Sequence, residues 1–133
     1  MTTTHAIVNP WAWQEAYGFV QAHAVTEARR TLYCAGQTAV DDDGRPLHAG
    51  DMPAQLAKAV DNLEAVLAAG DATLADVVRL NYYVTDLPAF FRSLEALKDR
   101  LQRSGCRPAS TLLNVAALHH PDILVEIEAT AVV

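Results

Sequence analysis

Two acidic side chains near the carboxyl end are the first candidates for chemistry. Glu126 and Glu128 are two residues apart, so on a β-strand they share one face with Leu124 and Thr130. A carboxylate on the inner face of a strand, beside apolar neighbours, is expected to have a raised pKa and can act as a general acid or base. Glu126 is therefore a candidate catalyst, with a structural hydrogen-bond acceptor as the alternative. Glu128 is predicted to support backbone or subunit contacts.

Histidines offer a second set of candidates. His119 and His120 precede Pro121 in a predicted turn and lack a third ligand at metal-binding spacing. A solvated loop is the favoured interpretation, and the alternative is that they line a cleft from a neighbouring subunit. His23 falls on a predicted strand, where a structural histidine is favoured over a catalyst. No metal site is predicted.

The two cysteines, Cys34 and Cys106, are far apart and show no metal-ligand spacing. Cys106 is expected in a loop near Arg103 and Arg107, two cations that could lower its thiol pKa. A redox or nucleophilic role for Cys106 is therefore the alternative to an unreactive thiol. Cys34 is predicted to lie in the core.

Two further features carry structural and functional alternatives. Asp41-Asp42-Asp43-Gly44 is predicted to form a hairpin turn, because the later ligands of a calcium loop are missing. Trp11 and Trp13 are predicted to be packing residues, with a cap over a pocket or subunit seam as the alternative.

Composition restricts the classes of protein that fit. The chain has 133 residues, of which 51% are hydrophobic, and a net charge of −6. This length predicts a single domain over residues 1–133. A nucleic-acid partner is not expected, because the chain has no basic run to neutralise phosphates. With no apolar stretch near eighteen residues and no signal peptide, the expected location is the cytoplasm, away from membranes.

Two amphipathic helices must position the candidates. The first begins at Asp51-Met52-Pro53, a capping pattern, and ends at Gly70. Its apolar stripe comprises Leu56, Val60, Leu63 and Leu67. The second begins at Asp86-Leu87-Pro88 and ends at Gly105, with a stripe of Phe90, Leu94, Leu97 and Leu101.

Strands are predicted around these helices, over 19–25, 31–35, 77–84, 110–115 and 123–133. Met1 to His5 is polar and is predicted to be an irregular start. The order β-β-α-β-α-β-β predicts an α+β fold, a mixed sheet with both helices on one face. The opposite face of the sheet is expected to be buried against other subunits.

Five short segments in this order are similar to the RidA family, also called YjgF or L-PSP. They are Gly18-Phe19-Val20-Gln21, Ala35-Gly36-Gln37, Val77 to Leu80 with Val84 to Leu87, Arg107-Pro108-Ala109-Ser110, and Leu124 to Ala129. The resemblance implies a chorismate-mutase-like homotrimer with three small-molecule clefts between subunits. It also implies hydrolysis of imines and enamines, such as 2-aminoacrylate, to a 2-keto acid and ammonia, without a cofactor.

The resemblance also assigns site positions, and several of them carry unusual residues. Ser110 stands where the family has an arginine that holds the substrate carboxylate, while the glutamate that helps to position water is kept as Glu126. The predicted catalytic residues are therefore Glu126 and Ser110. The predicted substrate-binding residues are Phe19, Tyr17, Ala35, Gly36, Leu94, Leu112 and Asn114.

The exchange at Ser110 changes the expected ligand. A serine offers one neutral hydrogen bond, whereas losing a charged, two-point arginine contact costs on the order of 2–4 kcal/mol in transition-state binding. A site lined by Phe19, Leu94 and Leu112 suits a neutral ligand, aromatic ones included. Two hypotheses follow, a hydrolase for an atypical imine or enamine and a non-catalytic ligand-binding or regulatory trimer. RNA cleavage, the third, is disfavoured by the acidic charge balance.

Overall fold

The computed structural model describes residues 4–133, and these contain both strands and helices. The strands are β1 (Thr4–Val8), β2 (Ala22–Thr26), β3 (Thr31–Tyr33), β4 (Val77–Val84), β5 (Leu112–Asn114) and β6 (Val125–Val132). The α-helices are α1 (Met52–Ala69), α2 (Leu87–Arg92) and α3 (Leu94–Arg103), and short 3-10 helices cover Trp13–Tyr17 and Leu74–Asp76.

The main sheet has four strands in the order β3-β6-β4-β5. β6 pairs antiparallel with β3 and β4, whereas β5 lies parallel to β4 at the edge, so the predicted mixed sheet is confirmed. β1 and β2 form a separate antiparallel ladder. A single bridge from Val20 to Ala109, with Val20 N donating to Pro108 O at 2.9 Å, joins the chain before β2 to the chain before β5.

The amino-terminal prediction was wrong in part. Thr4 and His5, for which an irregular start was expected, belong to β1, whereas Met1 to Thr3 lie outside the described residues. β2 begins at Ala22, three residues later than predicted. The reason is tertiary pairing, since Thr4 to Val8 finds its hydrogen-bond partners in Thr26 to Ala22. A five-residue strand with one polar end has too little alternation to be recognised alone.

Helix α1 follows the predicted boundaries. Asp51 caps it by accepting a hydrogen bond from Ala54 N at 3.1 Å, and a proline sits in its first turn. The predicted stripe is buried, with Leu63 and Leu67 wholly inaccessible to solvent. Burial of this stripe against the sheet fixes the helix on one face.

The second predicted helix is divided in two. Ser93 lies between α2 and α3. Its hydroxyl donates to the carbonyl of Ala89 at 2.9 Å, a side-chain contact that competes with the helical backbone pattern and bends helices. The apolar spacing continues through the break, so periodicity alone predicts one helix.

The two faces of the sheet differ sharply. On the helix-covered face, Leu80, Val84, Val125 and Ile127 are completely buried in one apolar cluster with residues of α1, α2 and α3. The opposite face carries partly or fully exposed side chains, which we call the open face; its residues are Tyr33, Arg79, Asn81, Tyr83, Leu113, Glu126, Glu128 and Thr130. This difference separates the candidate site residues into two groups.

The described residues include no helix with the length and apolar character required to cross a bilayer.

Candidate functional site

A cavity of about 330 Å³ opens beside the edge strand β5, on the helix-covered side of the sheet. Its walls come from the Trp13–Tyr17 helix and the two residues after it, from α2 and α3, and from the sheet. The lining residues are Trp13, Tyr17, Gly18, Phe19, Tyr82, Phe90, Phe91, Leu94, Leu97, Lys98, Leu101, Ser110 and Leu112. Five predicted site residues, Tyr17, Phe19, Leu94, Ser110 and Leu112, therefore meet at one cavity.

Aromatic rings dominate the cavity wall. Trp13 and Phe19 meet edge to face, with ring centroids 5.7 Å apart at 75°. On another wall, Tyr82 and Phe90 lie 5.3 Å apart at 54°. Such tilted and edge-to-face arrangements are favourable because the positive edge of one ring meets the negative face of the other. The wall of the cavity is consequently apolar and contains few polar groups.

Ser110 supplies an unusual polar group in this wall. Its Oγ is shielded from solvent and has no hydrogen-bond partner among the described residues. A buried hydroxyl without a partner costs about 1–3 kcal/mol. Rotation about χ1 gives this hydroxyl other staggered positions. A ligand in the cavity could therefore satisfy a group that the protein alone leaves unpaired.

Lys98 is the charged residue in the cavity wall among those described. Its ammonium donates to the carbonyl of Ala16 and to Glu95 Oε1, both at 3.1 Å. Its stem passes beneath Gly18, where an added Cβ would lie 2.6 Å from Lys98 Cγ. Gly18 also has a φ of 79°, a left-handed conformation that favours glycine. Lys98 thus ties the aromatic Trp13–Tyr17 helix to α3.

A second group of predicted residues lies elsewhere, around Glu126. Gly36 packs directly against this carboxylate, since a Cβ added at Gly36 would overlap the Glu126 side chain. Ala35 and Gly36 are exposed, and the next residue, Gln37, pairs with Ile127 through two backbone hydrogen bonds. The absence of a side chain at Gly36 therefore makes room for the Glu126 carboxylate.

The two candidate catalytic residues face opposite sides of the sheet within one chain. Glu126 pairs with Tyr83 and lies on the open face. Ser110 is two residues before Leu112, which pairs with Tyr82 on the helix-covered face. One chain accordingly does not bring Ser110 and Glu126 into the same pocket.

Glu128 lies on the open face, where its contacts are with side chains of β4. It accepts hydrogen bonds from the hydroxyl of Tyr83 and from Asn81 Nδ2. The hydrogen bond from Tyr83, then that from Asn81, lowers the pKa of Glu128, and the same contact with Glu128 raises the pKa of Tyr83. Arg79 donates to Thr111 Oγ1 at 3.0 Å nearby, so polar side-chain contacts link β4 to β6 and to the residue before β5.

Asn114, another predicted substrate-binding residue, lies outside the cavity. It is the last residue of β5, pairs in register with Val84, and is exposed.

The histidines have structural partners. His119 Nε2 lies 3.0 Å from Thr38 Oγ1, and His120 Nδ1 accepts from Asp122 N at 3.1 Å. His23 contacts the carbonyl of Arg107 through Nε2, while its Nδ1 is buried without a partner among the described residues. Groups of three or more His, Cys, Asp or Glu side chains able to hold a metal are absent from residues 4–133.

The structure favours an unreactive Cys106 thiol over the alternative of an activated one. Its side chain is 1% exposed in the apolar core, and burial raises its thiol pKa to about 12. Burial of the Cys106 thiol accounts for its raised pKa, and the neighbouring arginines do not lower that pKa. Cys34 is partly buried against the core, close to its predicted place, and burial raises its pKa as well.

The predicted hairpin turn is present. Asp41 Oδ1 accepts from the backbone N–H groups of Asp43 and Arg45, both at 2.9 Å, and Gly44 has a φ of 80°.

Several cavity residues were not among the predicted site residues, notably Trp13, Tyr82, Phe90, Phe91 and Lys98. Tyr82 and Phe90 belong to patterns that predict core, which they also join. The position of Trp13 in the cavity wall agrees with the alternative prediction of a cap over a pocket. No pattern in the sequence identifies Lys98 as a cavity residue, because its role depends on the docking of the Trp13–Tyr17 helix.

Comparison with known proteins places this geometry in a family. The family model described as Endoribonuclease L-PSP matches residues 12–133. The RutC family protein UK114 of Drosophila melanogaster is 36% identical over 104 residues, covering 78% of this chain and 73% of that protein. A RutC family protein of Pyrococcus abyssi is 31% identical over 100 residues, covering 75% of this chain and 76% of that protein.

Solved structures agree with the sequence relatives. The Rid family protein YyfB from Yersinia pestis, of unknown function, has a TM-score of 0.88 at 34% identity, covering 97% of this chain and 98% of that one. E. coli TdcF, solved with bound serine, has a TM-score of 0.71 at 25% identity, covering 86% and 87%. The α+β, chorismate-mutase-like fold is thereby confirmed, and the chain belongs to the RidA (YjgF/L-PSP) family.

Proposed function

We propose that this protein is a cofactor-independent hydrolase for small neutral imines, working as a cytoplasmic homotrimer. The observation that carries the proposal is the unpaired hydroxyl of Ser110 in a ring-lined cavity. A small-molecule site is in keeping with the similar E. coli protein TdcF, which was solved with bound serine. The ligand differs here because the cavity wall offers a neutral hydroxyl at Ser110 where a carboxylate would need a cation.

The proposed site lies at a cleft between two subunits. Ser110 and Glu126 face opposite sides of the sheet, so a site containing both requires two chains. One subunit would supply the cavity with Ser110, Phe19 and Leu94. Its neighbour would supply the open face with Glu126 and Gly36. A cyclic trimer makes such head-to-tail contacts three times and closes the assembly.

The chemistry follows from these groups. Ser110 holds the polar end of the ligand through one hydrogen bond, and the aromatic wall holds its apolar part. Glu126 accepts a proton from water as the water oxygen bonds to the imine carbon. Delivery of this proton to nitrogen gives a carbinolamine. Glu126 then transfers the carbinolamine hydroxyl proton to the amino group, the carbon–nitrogen bond breaks, and a carbonyl compound and ammonia leave. One water is consumed for each ammonia released.

The test compares two imines with the same aryl group. An amine oxidase acting on 2-phenylethylamine generates a neutral imine in place, and an amino-acid oxidase acting on phenylalanine generates one that carries a carboxylate. Ammonia release above the spontaneous rate is measured for each. The wild-type protein is expected to accelerate hydrolysis of the neutral imine. Glu126→Gln should lower that rate by about 10²-fold or more, the usual contribution of general acid–base catalysis.

Two further variants separate the roles of the residues. Gly36→Ala should also slow the reaction, because the new methyl displaces the Glu126 carboxylate. Ser110→Arg should shift activity towards the carboxylate-bearing imine. Glu64→Gln, an exposed carboxylate on α1, is the matched control and should leave both rates unchanged. A wild-type protein that prefers the carboxylate-bearing imine would contradict the role given to Ser110.

Ligand binding without catalysis is the second candidate. The observation that favours it is the apolar wall, in which Lys98 already has partners in Ala16 and Glu95. Under this candidate, neither imine would be hydrolysed faster than in buffer, while ligand binding at the cavity would persist.

A further inference from the structure

We propose that the cavity selects planar aromatic ligands carrying one neutral hydrogen-bonding group, over aliphatic ligands of equal size and over anionic ones. This inference rests on the proposed function, since it defines the ligand class of the same site. It concerns binding and can be measured without any hydrolysis.

The first argument is the number and placement of aromatic rings. Six of the cavity residues are aromatic: Trp13, Tyr17, Phe19, Tyr82, Phe90 and Phe91. They come from the amino-terminal segment, the sheet and α2, so aromatic surface is present on several sides. A planar ring between these walls can form edge-to-face and offset contacts that a saturated ring cannot form.

The second argument is size. The cavity measures about 330 Å³, whereas an engineered apolar cavity of roughly 150 Å³ in another protein is sufficient for benzene. The volume therefore suits a ligand of about two fused rings.

The third argument is polarity. The neutral hydroxyls in the wall belong to Ser110, Tyr17 and Tyr82, and Ser110 Oγ is the one that is buried without a partner among the described residues. One neutral donor or acceptor on the ligand would satisfy it, which makes the hydrogen bond a determinant of orientation.

The fourth argument is charge. Among the described residues in the wall, Lys98 is the cation, and its ammonium already donates to Ala16 and Glu95. A carboxylate entering the cavity would lose its water and meet apolar surface, which is costly without a committed partner. Anionic ligands should therefore bind more weakly than neutral ligands of the same shape.

The experiment uses three matched probes and isothermal titration calorimetry on the full chain. The probes are 2-naphthol, its saturated analogue decahydro-2-naphthol, and 2-naphthoate. We expect 2-naphthol to bind about five- to tenfold more tightly than the saturated alcohol, the effect of one or two aromatic contacts. We expect 2-naphthoate to bind at least about tenfold more weakly than 2-naphthol.

Variants locate the binding. Leu94→Trp fills the cavity and should abolish 2-naphthol binding, while Val66→Trp, on the exposed side of α1, should leave it unchanged. Ser110→Arg should reverse the preference so that 2-naphthoate binds more tightly than 2-naphthol. An unfolded protein could not give this gain in affinity for 2-naphthoate. Circular dichroism checks that each variant is folded.

Three outcomes would overturn the inference: equal affinity for the two alcohols, tighter binding of 2-naphthoate by wild type, or 2-naphthol binding that survives in a folded Leu94→Trp protein. Because the probes carry no imine, these outcomes are independent of the hydrolysis assay. Hydrolysis of neutral aliphatic imines together with equal affinity for the alcohols would sustain the proposed function and remove the aromatic preference. Tight 2-naphthol binding without any hydrolysis would sustain the aromatic preference and contradict the proposed hydrolase function.

Discussion

At the scale of single residues, burial decides which groups can react, as Cys106 demonstrates. Its position beside Arg103 and Arg107 in sequence suggests an activated thiol, but its side chain lies in the core and its pKa is raised to about 12. A thiol reacts as the thiolate, so the folded protein should keep Cys106 inert near neutral pH.

This burial predicts a pH-dependent stability. The unfolded thiol ionises near its ordinary pKa of 9.0, whereas the folded thiol stays protonated up to about 12. The unfolded state therefore binds fewer protons over this interval, and the free energy of unfolding should fall as pH rises from about 9 to 12. Urea unfolding of wild type and Cys106→Ala across this range measures the effect. Equal slopes for the two proteins would contradict it.

The hydrogen bond between Tyr83 and Glu128 makes a second residue-scale prediction. Because this contact lowers the pKa of Glu128, Tyr83→Phe should raise that pKa towards its ordinary value. The stabilisation from the lowered pKa is present above the unfolded carboxyl pKa and is lost as pH falls through the folded one. Carboxyl titration by NMR follows Glu128 directly. The control is Tyr33→Phe, which changes another tyrosine of the open face. If the pKa of Glu128 is unchanged in Tyr83→Phe, the hydrogen bond from Tyr83 is not the cause of the lowered Glu128 pKa.

Site residues were predictable from sequence only in part. Ser110, Phe19, Leu94 and Leu112 could be placed through similar segments of known proteins, and the structure brings them to one cavity. Lys98 could not be predicted, because its contact with Ala16 joins residues 82 positions apart.

At the scale of elements, helix caps contribute stability that can be measured one at a time. Asp86 accepts from Ala89 N at 3.1 Å and holds the start of α2, which carries Phe90 and Phe91 into the cavity wall. Asp86→Ala should lower the free energy of unfolding by about 1 kcal/mol, the typical value of such a cap. Asp99→Ala, an exposed carboxylate within α3, should change it by less than about 0.5 kcal/mol. Urea denaturation distinguishes the two, and equal losses would show that the cap contributes nothing specific.

Elements were more predictable from sequence than sites. The stripes of α1 and α3 follow the 3.6-residue period because each helix buries one side, and β6 alternates because its two faces differ in exposure. The break at Ser93 and the strand β1 escaped prediction for opposite reasons. Ser93 interrupts a helix within unbroken apolar spacing, and β1 exists through its pairing with β2.

At the scale of the whole molecule, the open face of the sheet is the surface that we propose mediates assembly. Tyr33 is 84% exposed and Leu113 is 49% exposed on this face, an unusual display of apolar surface on a sheet. We expect light scattering to give about three times the monomer mass of 14.4 kDa.

Charge on this face should prevent assembly. Leu113→Glu should reduce the mass towards that of a monomer, since it places an unpaired charge in a desolvated interface. Val66→Glu, on the exposed side of α1, is the control and should remain assembled. A wild-type monomer would contradict the proposed trimer and, with it, any site shared between chains.

The opposite orientation of Ser110 and Glu126 has a genetic consequence. A chain altered at Glu126 still offers an intact Ser110 cavity, and a chain altered at Ser110 still offers an intact Glu126. When two such chains assemble at random into rings, about a quarter of the clefts combine the two undamaged halves. Two alleles that are each inactive should therefore restore partial activity when expressed in the same cell, whereas two alleles damaged in the same half should not.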